Sequence, residues 1–124
     1  IRVILHAREL SDENINSAWK TVARQSERQL GAFIALYASE YQKPPLLLAN
    51  KQVEFRNEVI HSGKIPSRED AVFYGQQVLN VLRPILYEIK EKYPDSIHKV
   101  ISDHIVACRN SGGDPNQRIS TMFV

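Results

Sequence analysis

The sequence predicts an all-α protein, a bundle of four main helices with short connections. Apolar residues recur at three- and four-residue spacing over most of the chain. Prolines and glycines gather between those stretches, and strand-leaning residues are confined to the two ends.

Residues 1–10 alternate loosely and read either as a short strand or as the tail of an upstream element. Ser11 then has the character of an N-cap, and Asp12 and Glu13 suit the positive end of a helix. From there Ile15, Trp19, Val22, Leu30, Phe33, Tyr37 and Tyr41 keep to one stripe, so a single helix of about thirty residues is expected. Gly31 within it marks a close contact or a bend, and Pro44-Pro45 ends it, since neither proline donates an amide hydrogen bond. A second helix is expected from Pro45 to about Ser62, with Leu46, Ala49, Val53 and Ile60 on its apolar flank and Gly63 as its stop. Ser67 caps a third helix, with Asp70 three residues on. Its stripe includes Val72, Val78, Leu79, Leu82, Ile85, Leu86 and Ile89; Pro84 should kink it and Tyr93-Pro94 should stop it. A fourth helix, from about Asp95 to Arg109, buries Ile97, Val100, Ile101, Ile105 and Cys108. The loop Asn110 to Pro115 ends the helical part, and the tail Ile119 to Val124 leans towards strand.

The 124 residues are 43% hydrophobic and 24% charged, enough for one domain over 1–124 with a core at about 11–110. No apolar run approaches the roughly 20 residues that a bilayer-spanning helix requires, so no membrane partner is expected. A single cysteine, Cys108, forms no internal disulfide and favours a reducing, cytoplasmic setting. The chain opens on Ile1 without a leader-like stretch, which suggests a processed chain or part of a longer one with a fused domain. A net charge of +2 is too small for a protein that coats nucleic acid indiscriminately, so any contact with a polynucleotide is local.

There is no Gly-rich phosphate loop, no GxSxG turn, no cysteine pair and no HExxH, and no metal or cofactor is implied. His98 and His104 diverge by about 120° on a regular helix and do not share a ligand. Residues 55–66 (FRNEVIHSGKIP) are different. Arg56, Asn57 and His61 supply a permanent cation, an amide and an imidazole within six residues near a helix end. A guanidinium fork matches phosphate oxygens, and an imidazole gives or takes a proton near neutral pH. Asn57 and His61, four apart, share a face on which the amide can orient the ring. Lys43, Lys51, Arg56, Lys64 and Arg68 outnumber Glu54 and Glu58 nearby, and Lys64 and Arg68 are candidate substrate contacts. Arg56 and His61, five apart, diverge by about 140°. A two-fold axis joining two copies brings such groups to one cleft. The plainer readings are a surface ion pair for Arg56 and, for His61, a cation suited to the negative end of a helix.

RNEVIHSGKIP followed by SREDAVFYGQQVLNVLR resembles the core of the HEPN domains. These are small helical bundles, many of them metal-independent RNases with an Arg-x4–6-His motif whose second position is often polar. Arg56 and His61 match the fixed ends of that motif and Asn57 its second position. The resemblance extends with weaker motifs over residues 11–109. It implies a homodimer with both motifs in one cleft, cleavage of RNA through its own 2′-hydroxyl, and a role in antiviral defence or a toxin–antitoxin pair, where an antitoxin or regulatory partner restrains it. It also implies an acidic helper from a neighbouring helix, for which Glu40 is the candidate, with Glu27 or no such residue as the alternatives. Gly63 stands where one subgroup, silenced by nucleotide addition, has a tyrosine, so that regulation is not expected. The alternative is a catalytically silent module of the same kind, used for dimerisation or sensing.

Overall fold

The computed structural model describes residues 1–110. They are 79% helical, contain no strand and form six helices with short connections, so the chain is all-α. The expected loop from Asn110 to Pro115 and the strand-leaning tail Ile119 to Val124 lie, except for Asn110 itself, outside the described residues. The helices are α1 (Arg2–Ala7), α2 (Asp12–Val22), α3 (Ser26–Tyr41), α4 (Asn50–His61), α5 (Arg68–Lys92) and α6 (Pro94–Asn110).

Three elements differ from the sequence reading. Residues 2–7 form a short helix rather than a strand, and Ile4 within it is the most completely buried large side chain among the described residues, 1% exposed. The long helix expected from Ser11 to Tyr41 is two, separated at Ala23–Gln25. Neither glycine nor proline marks that break; the Gln29 side-chain amide donates to the Ala23 carbonyl at 2.9 Å and so replaces a helical bond lost there. The helix expected from Pro45 begins only at Asn50. Lys43 and Pro44 each precede a proline and are biased away from helical angles, and the chain stays non-helical through Ala49 (φ −65°, ψ 151°).

Other boundaries match the residues that were expected to set them. Ser11 Oγ accepts from the Asn14 amide at 3.2 Å, and Ser67 Oγ accepts from the Asp70 amide at 3.0 Å. Gly63 takes φ 68°, the left-handed conformation that ends helices cheaply only at glycine. The Ser62 and Lys64 amides both donate to the Glu58 carbonyl there. Helix α5 runs through Pro84, and α6 starts on Pro94 at its first position, where a missing amide proton costs nothing.

The chain divides into two units. Among the described residues, one consists of residues 1–36 with residues 89–110. In it α1 packs on α2 and α6. His6 Nδ1 and Ser96 Oγ lie 2.9 Å apart, Arg2 donates to Asn16 Oδ1, and the Arg2 guanidinium stands 5.7 Å from the Trp19 ring centre. The other unit, Tyr37–Glu88, holds the end of α3, all of α4 and most of α5. Tyr37 is buried and stacks on Tyr41 at 4.4 Å, and Lys43 is bonded to Glu88. Phe55 of α4 meets Tyr74 of α5 with ring centres 5.5 Å apart.

Within this second unit the burial of α4 is the reverse of the sequence reading. Val53 and Ile60 are 42% and 53% exposed, while Gln52 is 6% exposed. Gln52, Phe55 and Val59, rather than Leu46, Ala49, Val53 and Ile60, form the shielded side. In α5, likewise, Ile85 is buried but Val72, Leu79 and Leu86 face outward.

Candidate nucleic-acid interface

The candidate site residues Arg56, Asn57 and His61 lie on α4, with Lys64 in the connection and Arg68 at the start of α5. All five are exposed. At about 100° per residue, Ile60 and Val53 occupy the middle of the exposed face of α4. Arg56 borders it on one side; Asn57 and then His61 border it on the other. The face is therefore an apolar strip with a cation along one edge and an imidazole along the other.

Asn57 does not orient the imidazole in this arrangement. Its Oδ1 accepts instead from Arg56 Nη1 at 3.1 Å, which fixes one arm of the guanidinium and leaves its remaining N–H groups to solvent. His61 is the last residue of α4 and makes no side-chain hydrogen bond among the described residues.

Lys64 is committed locally. Its Nζ is 2.5 Å from Glu58 Oε2 and 5.5 Å from the Phe55 ring centre. The hydrogen bond to Glu58, with the negative charges of Glu58 and Asp70, holds its pKa above the usual lysine value. Arg68, by contrast, has no ion pair among the described residues, and it borders a shallow depression with Glu69, Val72, Phe73 and Gln76. Glu40, the candidate acidic helper, is buried on the last turn of α3 at 8% exposure. Arg56 takes Asn57, not Glu40, as its side-chain partner.

A second feature of this unit has no signature in the sequence. Lys51, Gln52 and Phe55 of α4 and Asp70, Phe73 and Tyr74 of α5 line a cavity of about 180 Å³ that is open to solvent on one side. Residues that line it come from two helices, which meet at the Phe55–Tyr74 contact. The hydrophobic pattern of α4 points the other way, because it marks Val53 and Ile60 as the inward residues.

Among the described residues no group of three or more His, Cys, Asp or Glu side chains is arranged to hold a metal ion, and no helix is long and apolar enough to cross a membrane. Compared with known protein families, curated proteins and solved structures, the chain matches none.

Proposed function

We propose that this chain is an endoribonuclease acting through the RNA's own 2′-hydroxyl, with its site formed where two copies meet along the exposed face of α4. The observation that carries the proposal is the strip itself: Val53 and Ile60 turned outward between Arg56 and His61. Apolar side chains in such a place gain by being covered. If two α4 helices cross roughly parallel about a two-fold axis, the Arg56 edge of one faces the His61 edge of the other. The five-residue separation then becomes an axial offset of about 7.5 Å, which an arginine side chain spans. Divergence within one chain thus becomes convergence between two, consistent with the HEPN-like motif.

In this arrangement a neutral His61 takes the proton from the 2′-hydroxyl as its oxygen attacks the adjacent phosphorus. A protonated His61 then gives a proton to the departing 5′-oxygen. Arg56, held on one side by Asn57, stabilises the negative charge on the phosphorane oxygens, where electrostatic catalysis contributes most. The products are a 2′,3′-cyclic phosphate and a 5′-hydroxyl. The nucleophile belongs to the substrate, so the scheme calls for no metal.

Single-stranded RNA incubated with the protein in EDTA should yield fragments ending in 2′,3′-cyclic or 3′-phosphate. Fragments bearing 3′-hydroxyl ends, or cleavage that vanishes with the metal, would overturn the scheme. A silent dimerisation module is the second reading, favoured by the modest net charge. It predicts the same self-association with no cleavage.

A further inference from the structure

We propose that the cavity between α4 and α5 is a base-recognition subsite, which takes one unstacked base of single-stranded RNA and prefers a base bearing an exocyclic amino group to uracil. The inference deepens, and rests on, the ribonuclease reading.

Four observations converge on it. Phe55, Phe73 and Tyr74 supply aromatic walls, and single-stranded RNA is held largely by stacking of splayed bases on such side chains. Gln52 is only 6% exposed, lines the cavity, and its side-chain amide makes no hydrogen bond among the described residues. Its amide oxygen and nitrogen are not among the fully buried, unpartnered polar atoms, so both still reach solvent and are open to the hydrogen-bonding edge of a ligand. Asp70 adds a carboxylate, an acceptor-only group when ionised. Carboxylates accept from base amino groups, whereas uracil offers carbonyls in the corresponding place. Lys51 at the rim and Arg68 nearby carry no ion pair among the described residues and are available to the flanking phosphates.

Placement strengthens the case. Gln52 precedes Arg56 by four residues, so the two are neighbours one turn apart on the same flank of α4. The cavity therefore opens beside the phosphate-binding arginine and away from the same chain's His61. A base seated there directs its own phosphodiester along the Arg56 edge, towards the partner subunit's His61.

The test measures binding of 8-nucleotide oligo(C) and oligo(U) by fluorescence anisotropy, in EDTA and moderate salt, to the His61→Ala protein so that cleavage does not intervene. Oligo(C) should bind about 5- to 100-fold more tightly than oligo(U), the range expected for one good base contact. Adding Asp70→Asn should erase most of that preference. Adding Phe73→Ala should weaken both oligonucleotides by about 5-fold or more. Phe73 is 55% exposed, so the substitution leaves the fold standing, which circular dichroism checks. Equal affinity for the two oligonucleotides, together with unaltered binding by Phe73→Ala, would overturn the subsite, and an aromatic side chain of a protein partner would then be the better occupant. Cleavage by the unsubstituted protein separates the two proposals. Cutting without base preference defeats the subsite alone, and base preference without cutting defeats the nuclease alone.

Discussion

Replacing His61 by alanine separates the chemistry from the fold more cleanly than any other single change. The imidazole is exposed, ends its helix and makes no side-chain hydrogen bond among the described residues. Its removal leaves no cavity and orphans no buried group. What is lost is a modest attraction to the helix C-terminus when the ring is charged, and alanine's higher helix propensity offsets part of that. The stability change should stay within about 0.5 kcal/mol, the ordinary range for an exposed substitution. Removing a general acid–base group, by contrast, lowers a rate by about 10²- to 10⁴-fold. At 1.36 kcal/mol for each factor of ten, that is about 3 to 5 kcal/mol on the barrier. The two effects thus differ by several-fold in free energy and are read by different instruments. Initial rates on a fluorophore–quencher RNA in EDTA give one, and thermal melting followed at 222 nm (a general marker of helix) gives the other. A His61→Ala protein that cuts within threefold of the unsubstituted chain would refute the assigned chemistry. So would a loss of activity matched by a loss of helicity, because the residue would then be structural.

Further expectations follow from the same geometry. Ile60→Asp places a charge at the centre of the exposed α4 strip and should shift sedimentation from dimer to monomer with unchanged helicity; persistence of the dimer would place the interface elsewhere. Ile4→Ala removes a side chain only 1% exposed and should cost about 2–5 kcal/mol, read as a lowered denaturation midpoint; a change below 1 kcal/mol would mean that α1 does not contribute to the folded core. The raised pKa of Lys64 makes a small contribution to stability that is complete below the usual lysine value of 10.5 and lost as pH rises through the higher folded value. Lys64→Gln should therefore flatten the alkaline fall in melting temperature slightly, and an identical fall in both proteins would show that the Glu58 pair contributes nothing. The effect is small because both side chains are solvated.

What the sequence made legible depended on whether a local rule was in charge. Ser11, Ser67, Gly63 and Pro94 set helix ends by chemistry confined to a few neighbouring residues, and each acts where it was expected to. The break at Ala23–Gln25 was not legible, because Gln29 closes it by a side-chain bond that no punctuating residue announces. The start of α4 was misread for a related reason. Leu46, Leu47, Leu48 and Ala49 are good helix formers, but the two prolines bias Lys43 and Pro44 away from helical angles, and Ala49 is itself extended, with no side chain to cap the turn. Of the candidate site, the placement of Arg56, Asn57 and His61 on one helix was legible, and the Arg56–Asn57 bond was not. Asn57 stands four residues before His61 and one before Arg56. Spacing favoured the first pairing, while the reach and charge of the guanidinium decide for the second.

The inversion of α4 connects these results to function. A helix that shields Gln52 and exposes Val53 and Ile60 opposes the usual segregation of apolar and polar residues, at a cost for each displaced side chain. Such local conflict is expected where a surface serves something other than the stability of the isolated chain. Rotating the helix to bury Val53 and Ile60 would carry Arg56 and Asn57 inward with them, since both flank the strip within about 60°. It would also turn Gln52 and Phe55 out of the cavity they share with α5. The observed orientation keeps the guanidinium and imidazole in water and leaves the amide facing the cavity. The apolar strip remains available for a second α4. One rotational setting of one helix therefore serves both proposed tasks, and the two can be probed from opposite flanks, at Ile60 and at Gln52.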